Sequence, residues 1–258
     1  MTRPTTLTTE HEHAAELATL AGERLLELRE RLRDGADPKE TKDLGDRSSH
    51  EFLMAELALR FPHDAVLSEE GKDDFERLKS DRVWIIDPLD GTREFGEIDR
   101  DDWAVHVALC VGGVPVVGAV ALPAQGITLS TAEPLVLPAR PDGPIRILAS
   151  RTRPPALVHA LIERFGAELV PMGSAGAKAT AVLLGLGDAY VHGGGQYEWD
   201  SCAPVAVVLA SGLHASRLDG SPLVYNQPDV LLPDLAICRP ELADQIMSAL
   251  AEVGWSTR

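Results

Sequence analysis

Apolar residues recur every three or four positions over residues 17–32, with charged residues between them, and this spacing predicts an amphipathic helix. A second helical pattern covers residues 46–61 and stops before Pro62, which cannot continue a helix without losing a hydrogen bond. Short runs of apolar and β-branched residues follow at 65–68 and 82–87, and they predict strands. The chain is therefore expected to begin with helices and to continue into a sheet.

Two further apolar runs between residues 103 and 122 flank Gly112 and Gly113 and predict a β-hairpin. Residues 137–144 have the composition of a linker. Beyond them, strand-like and helix-like patterns alternate, as is typical of α/β structure. The predicted elements there are strands near 145–148, 169 and 189–191, helices near 155–165, from 174, 200–212 and from 241, and a hairpin at Asp219 and Gly220.

These patterns predict an α+β half over residues 1–143 and an α/β half over residues 144–258. Because a helix or a sheet must bury its apolar face against another element, we expect the halves to pack as a layered α/β sandwich. Acidic residues gather at the ends of predicted strands. We therefore expect the functional site to lie where the halves meet.

The composition is that of a folded globular protein, with 45% hydrophobic and 25% charged residues in 258. The 24 basic and 40 acidic residues give a net charge of −16, which repels nucleic-acid backbones and anionic membranes, so neither is an expected partner. No apolar run approaches the roughly 18 residues that would predict a membrane span. An anionic substrate would need divalent cations held by some of the carboxylates.

The three cysteines are Cys110, Cys202 and Cys238. Their number is odd and they show no Cys-x-x-Cys spacing, so the sequence indicates neither a disulfide framework nor a cysteine-rich zinc site. We expect a reducing, cytoplasmic location.

The segment over residues 83–92 carries the strongest chemical signal. A buried-looking strand ends on Asp87, and Asp90 follows across a turn that Pro88 constrains. This spacing can direct both carboxylates and the Leu89 carbonyl toward one point, and such hard oxygen ligands suit Mg²⁺. Alternatively, Asp90 and the glycine after it form an ordinary turn.

Gly91 and Thr92 are expected to open a short helix, whose free N–H groups can bind phosphate. Two other acidic sites strengthen the metal interpretation. Glu69 and Glu70 follow a short apolar strand, and Asp200 lies at the predicted start of a helix. An aspartate in that position is also a common helix cap, which is the simpler interpretation of Asp200 alone.

Together, the segments over residues 68–70, 84–92 and 199–204 resemble the signatures of the inositol monophosphatase superfamily of Mg²⁺-dependent, lithium-sensitive phosphatases. The resemblance extends from Leu17 onward and implies that superfamily's αβαβα sandwich. Within the superfamily, the chain is most similar to the CysQ-type 3′(2′),5′-bisphosphate nucleotidases of actinobacteria. A homodimer is also a family expectation.

The resemblance implies a role for each acid. One metal ion would be held by Glu69, Asp87 and the Leu89 carbonyl, and a second by Asp87, Asp90 and Asp200, with Glu70 near them or at a third ion. Asp46, 23 residues before Glu69, would work with the Thr92 hydroxyl to orient the attacking water. The N–H groups of Gly91 and Thr92 would bind phosphate oxygens. The haloacid dehalogenase phosphatases are a rival, but their aspartates are separated by one residue, whereas Asp87 and Asp90 are separated by two.

The substrate is indicated by weaker signals. Lys178 lies in a predicted helix that small residues open after Ser174. The bisphosphate nucleotidases carry a lysine at this position, where it can serve a second phosphate. Where inositol phosphatases carry an acid that binds the sugar, this chain has Gly193. Ser174, Tyr197 and Glu198 are the other expected substrate contacts, and Tyr197 could stack on a base.

Four other polar or aromatic residues have simpler structural explanations. Trp199 could belong to the core as readily as to a nucleobase pocket. The spacing of Arg93 and Glu97 favours a surface ion pair across one helical turn. His106 alternates within a predicted strand and is expected to be a hydrogen-bonded core histidine, and His192 begins a glycine-rich loop that could line the pocket.

The resemblance predicts a cytoplasmic, Mg²⁺-dependent phosphatase that removes the 3′-phosphate of adenosine 3′,5′-bisphosphate to give AMP. It also implies inhibition by Li⁺ and a role in clearing a by-product of sulfate activation. The first alternative is an inositol-1-phosphate or fructose-1,6-bisphosphate phosphatase, or one enzyme with both activities, because the metal core does not discriminate between esters. The second is a non-catalytic regulator on the same scaffold, which would be expected to lack some of the acids.

Overall fold

The structure, a computed structural model, describes residues 7–253. The helices are α1 (Thr8–Arg33), α2 (Pro38–Arg60), α3 (Thr92–Phe95), α4 (Ala156–Phe165), α5 (Ala175–Leu183), α6 (Glu198–Ala210) and α7 (Ala243–Val253). The strands are β1 (Ala65–Ser68), β2 (Arg82–Asp90), β3 (Ala104–Val111), β4 (Val114–Leu122), β5 (Ile127–Ser130), β6 (Arg146–Ser150), β7 (Glu168–Met172), β8 (Ala189–His192), β9 (Gln196–Tyr197), β10 (His214–Ser216), β11 (Leu231–Leu232) and β12 (Leu235–Cys238).

The strands form two five-stranded sheets and one short ribbon. In the first sheet, β1 to β5 lie in chain order, with β1 parallel to β2 and the other pairs antiparallel. The second sheet has the order β10-β12-β8-β6-β7, in which β6 is parallel to both β7 and β8 and β12 is antiparallel to its neighbours. β9 and β11 pair separately.

The two sheets alternate with three layers of helices. On β2, Trp84 and Ile86 pack against α1 and α2, whereas Val83 and Ile85 face α5 and α6, because successive side chains of a strand point to opposite faces. The second sheet covers the other side of α5 and α6, and its outer face packs against α4 and α7. The order is αβαβα, which confirms the expected sandwich.

The two predicted halves share one core. The first sheet lies within residues 65–130 and the second within residues 146–238, with the segment 137–144 between them. Nevertheless, α6 packs against the first sheet. At Gly118 on β4 the approach is so close that a Cβ atom would lie 2.7 Å from the Ala203 carbonyl oxygen. This packing places the start of α6 beside the ends of the first sheet's strands.

Two helix starts and one predicted hairpin differ from the sequence predictions. Helix α1 begins at Thr8, nine residues before the first apolar position of the predicted pattern. Helix α2 begins at Pro38, not near residue 46, because Asp37 caps it by accepting hydrogen bonds from two backbone N–H groups. Asp219 and Gly220 do form a turn, but the antiparallel partner of β10 is β12, after a longer loop.

Within residues 7–253, no helix combines the length and apolar character required to cross a bilayer. The three cysteines are buried and unpaired.

Candidate active site

Asp87 and Asp90 both lie on β2, and a bulge between them directs their carboxylates. Asp87 pairs with His106 of β3 and Asp90 pairs with Ala104, so an interval of three residues in β2 lies opposite an interval of two residues in β3. Proline has no N–H group for the ladder, and a bulge accommodates the extra residue by bending the strand. The predicted turn after Asp87 is therefore wrong in detail, because the strand continues to Asp90. The Asp87 carboxylate accepts a hydrogen bond from the Leu89 N–H at 3.0 Å.

Asp200 joins these two residues from the C-terminal half. Oxygen atoms of Asp87, Asp90 and Asp200 all lie within 4.8 Å of one another. Asp200 is not the N-cap of α6, which is Tyr197, but lies at the third helical position, where its Oδ2 accepts the Tyr197 N–H at 2.6 Å in a capping box. The cap and the acidic cluster are thus compatible, since a carboxylate has more than one lone pair to offer.

Glu69 and Glu70 bring two more carboxylates to the cluster from the end of β1. The Glu69 N–H donates to the Ile86 carbonyl at 3.3 Å, which keeps Glu69 beside β2, where its carboxyl group and that of Asp87 shift each other's pKa. The charge of Glu70 acts on Asp46. The structure therefore brings together carboxylates that are more than 100 residues apart in the chain.

Asp46 and Thr92 lie side by side at the edge of this cluster. Burial and the charge of Glu70 raise the pKa of Asp46 to about 7, and the neighbouring Thr92 side chain opposes this shift. The Thr92 hydroxyl donates to the Leu89 carbonyl at 3.1 Å. Thr92 begins α3, with Gly91 as its N-cap at a φ of +84°, a backbone region that favours glycine. The expected short helix after Gly91 is present.

Mutual repulsion in the cluster changes the proton affinity of its members. Burial and the charge of Asp90 raise the pKa of Asp200 to about 7. Burial, with Asp90 and Glu70, similarly raises the pKa of Glu69 to about 7 although Asp87 opposes the shift. Burial and the neighbouring carboxylates raise the pKa of Asp87 well above its ordinary value. These shifts indicate a site that requires positive charge to hold all of its carboxylates ionised.

Asp90 is the exception, because donors surround its carboxylate. Burial opposes its ionisation, but His106, Ser174 and the Gly176 N–H outweigh that effect and lower its pKa to about 2. The Gly176 N–H donates to Oδ2 at 2.7 Å and the Ala175 N–H to Oδ1 at 3.2 Å. Asp90 thereby joins the first sheet to the start of α5.

His106 is a site residue that the sequence analysis did not assign. It is fully buried and hydrogen-bonded, as expected, but its Nε2 lies 3.2 Å from Asp90 Oδ2 and its Nδ1 lies 3.0 Å from the Trp199 carbonyl. Burial opposes a charge on the ring, yet Asp90 and the carbonyl raise the pKa of His106. The register between β2 and β3, which the sequence pattern does not specify, places His106 opposite Asp87.

The residues expected to contact substrate occupy different environments. Ser174 donates to the Asp90 carboxylate and caps α5. Lys178 is 4% exposed, and its ammonium donates to the carbonyls of Gly173 and Ser174, the latter at 2.8 Å. Tyr197 is 43% exposed and stacks on Trp199 with ring centroids 4.9 Å apart.

Glu198 is buried and holds a neighbouring loop. Its two carboxylate oxygens accept the N–H groups of Asn226 and Gln227, each at 2.7 Å. His192 is half-buried, and burial together with the charge of Lys178 lowers its pKa to about 4. Gly193 follows His192 in the loop that leads to β9.

Comparisons with known proteins identify the family to which the chain is similar. The sequence profile of the inositol monophosphatase family matches residues 7–135 and 147–254. The 3′-phosphoadenosine 5′-phosphate phosphatase of Mycobacterium leprae (strain TN) is 51% identical over 253 residues, which cover 93% of each chain.

Two solved structures share the fold over nearly the whole length. CysQ from Bacteroides thetaiotaomicron, a bacterial member of the inositol monophosphatase family, has a TM-score of 0.75 at 27% identity and covers 91% of this chain and 98% of its own. Inositol monophosphatase II from Staphylococcus aureus MSSA476 has a TM-score of 0.79 at 20% identity, over 93% and 94% of the two chains. From its sequence profile, its 51%-identical relative and its layered fold, this chain belongs to the inositol monophosphatase family.

Proposed function

We propose that this protein is a metal-dependent phosphatase that hydrolyses the 3′-phosphate of adenosine 3′,5′-bisphosphate to AMP and inorganic phosphate. The observation that carries the proposal is the convergence of Asp87, Asp90 and Asp200 within 4.8 Å, in a chain 51% identical to a relative named for this activity. All the acids expected of an active member are present, which disfavours a non-catalytic regulator.

The donor set fits Mg²⁺, because it consists of carboxylate and carbonyl oxygens and contains no thiolate or imidazole ligand. Glu69, Asp87 and the Leu89 carbonyl would hold one ion, and Asp87, Asp90 and Asp200 a second. Glu70 would support them or contribute to a third ion. Such ions would neutralise the phosphate dianion, make water a better nucleophile and stabilise the leaving oxygen.

The remaining groups position the reactants. Asp46 and the Thr92 hydroxyl, which lie side by side, would orient the attacking water. The backbone N–H groups of Gly91 and Thr92 would bind phosphate oxygens at the start of α3, since the first N–H groups of a helix have no intrahelical acceptor. His106 acts through Asp90, whose carboxylate it helps to keep ionised and correctly placed.

The residues that would contact the substrate are assigned from their positions around the acidic cluster. Tyr197, exposed and stacked on Trp199, would present a ring face to the adenine. Ser174 and Lys178 lie at the start of α5, beside Asp90, and one of the three ammonium donors of Lys178 remains beyond the two carbonyl contacts. Glu198 would act indirectly, by holding the loop at residues 226–227. A homodimer, a cytoplasmic location and inhibition by Li⁺ stay predictions from the family resemblance and the composition.

The proposal is tested by assaying phosphate release from adenosine 3′,5′-bisphosphate, inositol 1-phosphate and fructose 1,6-bisphosphate, each with Mg²⁺ and with a chelator. We expect the highest kcat/KM for the nucleotide, and loss of activity with the chelator. If kcat/KM for a sugar phosphate were equal or higher, the nucleotidase assignment would be wrong and the protein would be a sugar phosphatase.

A pair of variants tests the mechanism. Asp87→Asn removes the carboxylate assigned to both ions, and we expect kcat to fall by about a hundredfold or more. Asp142→Asn changes an exposed aspartate in the linker and serves as the matched control, with wild-type kcat. Retained activity in Asp87→Asn would contradict a mechanism through shared metal ions.

A further inference from the structure

A cleft of about 260 Å³ opens beside the acidic cluster, between the two sheets. One wall contains Asp90, Gly91 and Thr92, and the opposite wall contains Arg151 and Arg153, in the loop after β6. Its volume is below the roughly 300–1,000 Å³ of pockets that enclose a whole drug-sized ligand. The cleft therefore suits one part of a substrate whose reacting phosphate lies at the acidic cluster.

Three arginines line this cleft in a protein with a net charge of −16. Arg151 is already engaged, because its Nε donates to Glu94 and its Nη2 to Glu97, both at 2.6 Å. The ion pair between Arg93 and Glu97 that the sequence spacing favours is therefore wrong, since Glu97 binds Arg151. This leaves Arg93 exposed at the mouth of the cleft.

Arg93 and Arg153 are both exposed. Among residues 7–253, no carboxylate lies within ion-pair distance of either guanidinium. Other arginines of the chain, less exposed than these two, are paired with carboxylates, as Arg100 is with Asp102 and Arg146 with Asp188. Two guanidinium groups without a carboxylate partner thus line one cleft, and such groups suit an anion, because each can donate two parallel hydrogen bonds to phosphate oxygens.

Lys178, the residue that the sequence favoured for a second phosphate, is in a less suitable position. It is 4% exposed, its ammonium donates to the carbonyls of Gly173 and Ser174, and it lies 5.2 Å from the centre of the Tyr190 ring. Desolvation by burial lowers its pKa, whereas the N–H donors of the exposed arginines are accessible to a ligand.

We propose that Arg93 and Arg153 bind the second phosphate of the substrate, the 5′-phosphate of a nucleoside 3′,5′-bisphosphate, and so determine the preference for bisphosphates over monophosphates. The inference rests on the proposed function. Arg93 approaches from α3, which also carries the Thr92 N–H assigned to the reacting phosphate, and Arg153 approaches from the second sheet. The second phosphate would thus bridge the two halves of the protein.

The test compares kcat/KM for adenosine 3′,5′-bisphosphate with kcat/KM for adenosine 3′-monophosphate, which lacks the 5′-phosphate. The variants are Arg93→Ala, Arg153→Ala and their double mutant, with Arg93→Lys and Arg153→Lys as charge-conserving variants. Arg164→Ala, an exposed arginine on α4 paired with Glu252, is the control. Urea denaturation verifies that each variant is folded.

We expect the ratio of the two kcat/KM values to fall by about tenfold or more in each alanine variant, the size typical of a hydrogen bond to a charged group. The lysine variants should recover part of the ratio, and Arg164→Ala should keep the wild-type ratio. The change should appear mainly in KM for the bisphosphate, because the second phosphate is remote from the reacting bond.

Three results would overturn the inference. In the first, the arginine variants keep a kcat/KM ratio within about twofold of wild type. In the second, kcat/KM falls equally for both substrates. In the third, Lys178→Met removes the preference for the bisphosphate while the arginine variants retain it. A wild-type protein that hydrolyses neither nucleotide would instead refute the proposed function, and the inference with it. The wild-type measurement therefore separates failure of the inference from failure of the proposed function.

Discussion

Removal of divalent cations with a chelator should make this protein less stable as the pH rises, because the acidic cluster then ionises without a counter-charge. The perturbation to examine is Asp200→Asn, which removes one charge and keeps an oxygen to accept the Tyr197 N–H. The side-chain oxygen of asparagine can accept the same N–H, so this capping-box hydrogen bond of α6 survives the substitution.

The magnitude follows from the shifted pKa of Asp200. Its ordinary value is 3.8 and burial beside Asp90 raises it to about 7. Between these values the folded state binds more protons than the unfolded state, so the free energy of unfolding falls as pH increases. At about 1.4 kcal/mol per pKa unit, the loss is at most about 4 kcal/mol, since solvent screens part of this half-buried group. The other carboxylates titrate together with Asp200, and their contributions are not simply added.

The assay is urea denaturation of wild type and Asp200→Asn at several pH values from about 5 to about 8, with a chelator and again with Mg²⁺. The quantity compared is the difference in the free energy of unfolding between the two proteins at each pH. Because the pKa of His192 is lowered to about 4, this residue makes the free energy of unfolding rise with pH in the lower part of the range. The contribution is the same in both proteins and cancels in the difference. Asp142→Asn is the control for an exposed aspartate.

We expect the chelated variant to become progressively more stable than chelated wild type as the pH rises. Mg²⁺ should reverse this order, because a cation bound to the native state stabilises wild type preferentially. Parallel stability curves for wild type and Asp200→Asn in the chelator would refute the reasoning, since they would show that Asp200 ionises without opposition from its neighbours.

Three further substitutions test the packing that supports the site. Gly176→Ala would place a Cβ atom far inside contact distance of His106 Nε2; we expect a loss of about 1–3 kcal/mol in urea denaturation and lower activity, and unchanged stability would contradict the described contact. Gly118→Ala would force β4 away from α6, where a Cβ would lie 2.7 Å from a carbonyl oxygen; a similar loss is expected, and a stabilised variant would argue against the shared core. Arg29→Met removes donors to the Phe95, Glu97 and Arg100 carbonyls; we expect about 3 kcal/mol of destabilisation and faster hydrogen exchange over residues 94–100, whereas local protection equal to wild type would show that Arg29 does not hold this loop.

Much of the layered fold could be predicted from hydrophobic periodicity. The strand over residues 65–68 has the predicted bounds, and the helix predicted for residues 155–165 is α4. The errors concern helix starts, where polar first turns carry no apolar periodicity. For α2, the cap by Asp37 and the first-turn Pro38 were present in the sequence as signals.

The sequence by itself determined which residues are acidic at strand ends and helix starts, and hence the set Glu69, Asp87, Asp90 and Asp200. Local patterns suffice for this because each of these residues lies in or directly next to the strand or helix that positions it. Only the tertiary structure decided what these residues meet. The bulge after Asp87, the contact of His106 with Asp90, and the cleft with Arg93 unpaired all depend on elements far apart in the chain, and no local spacing specifies distances across a packed core.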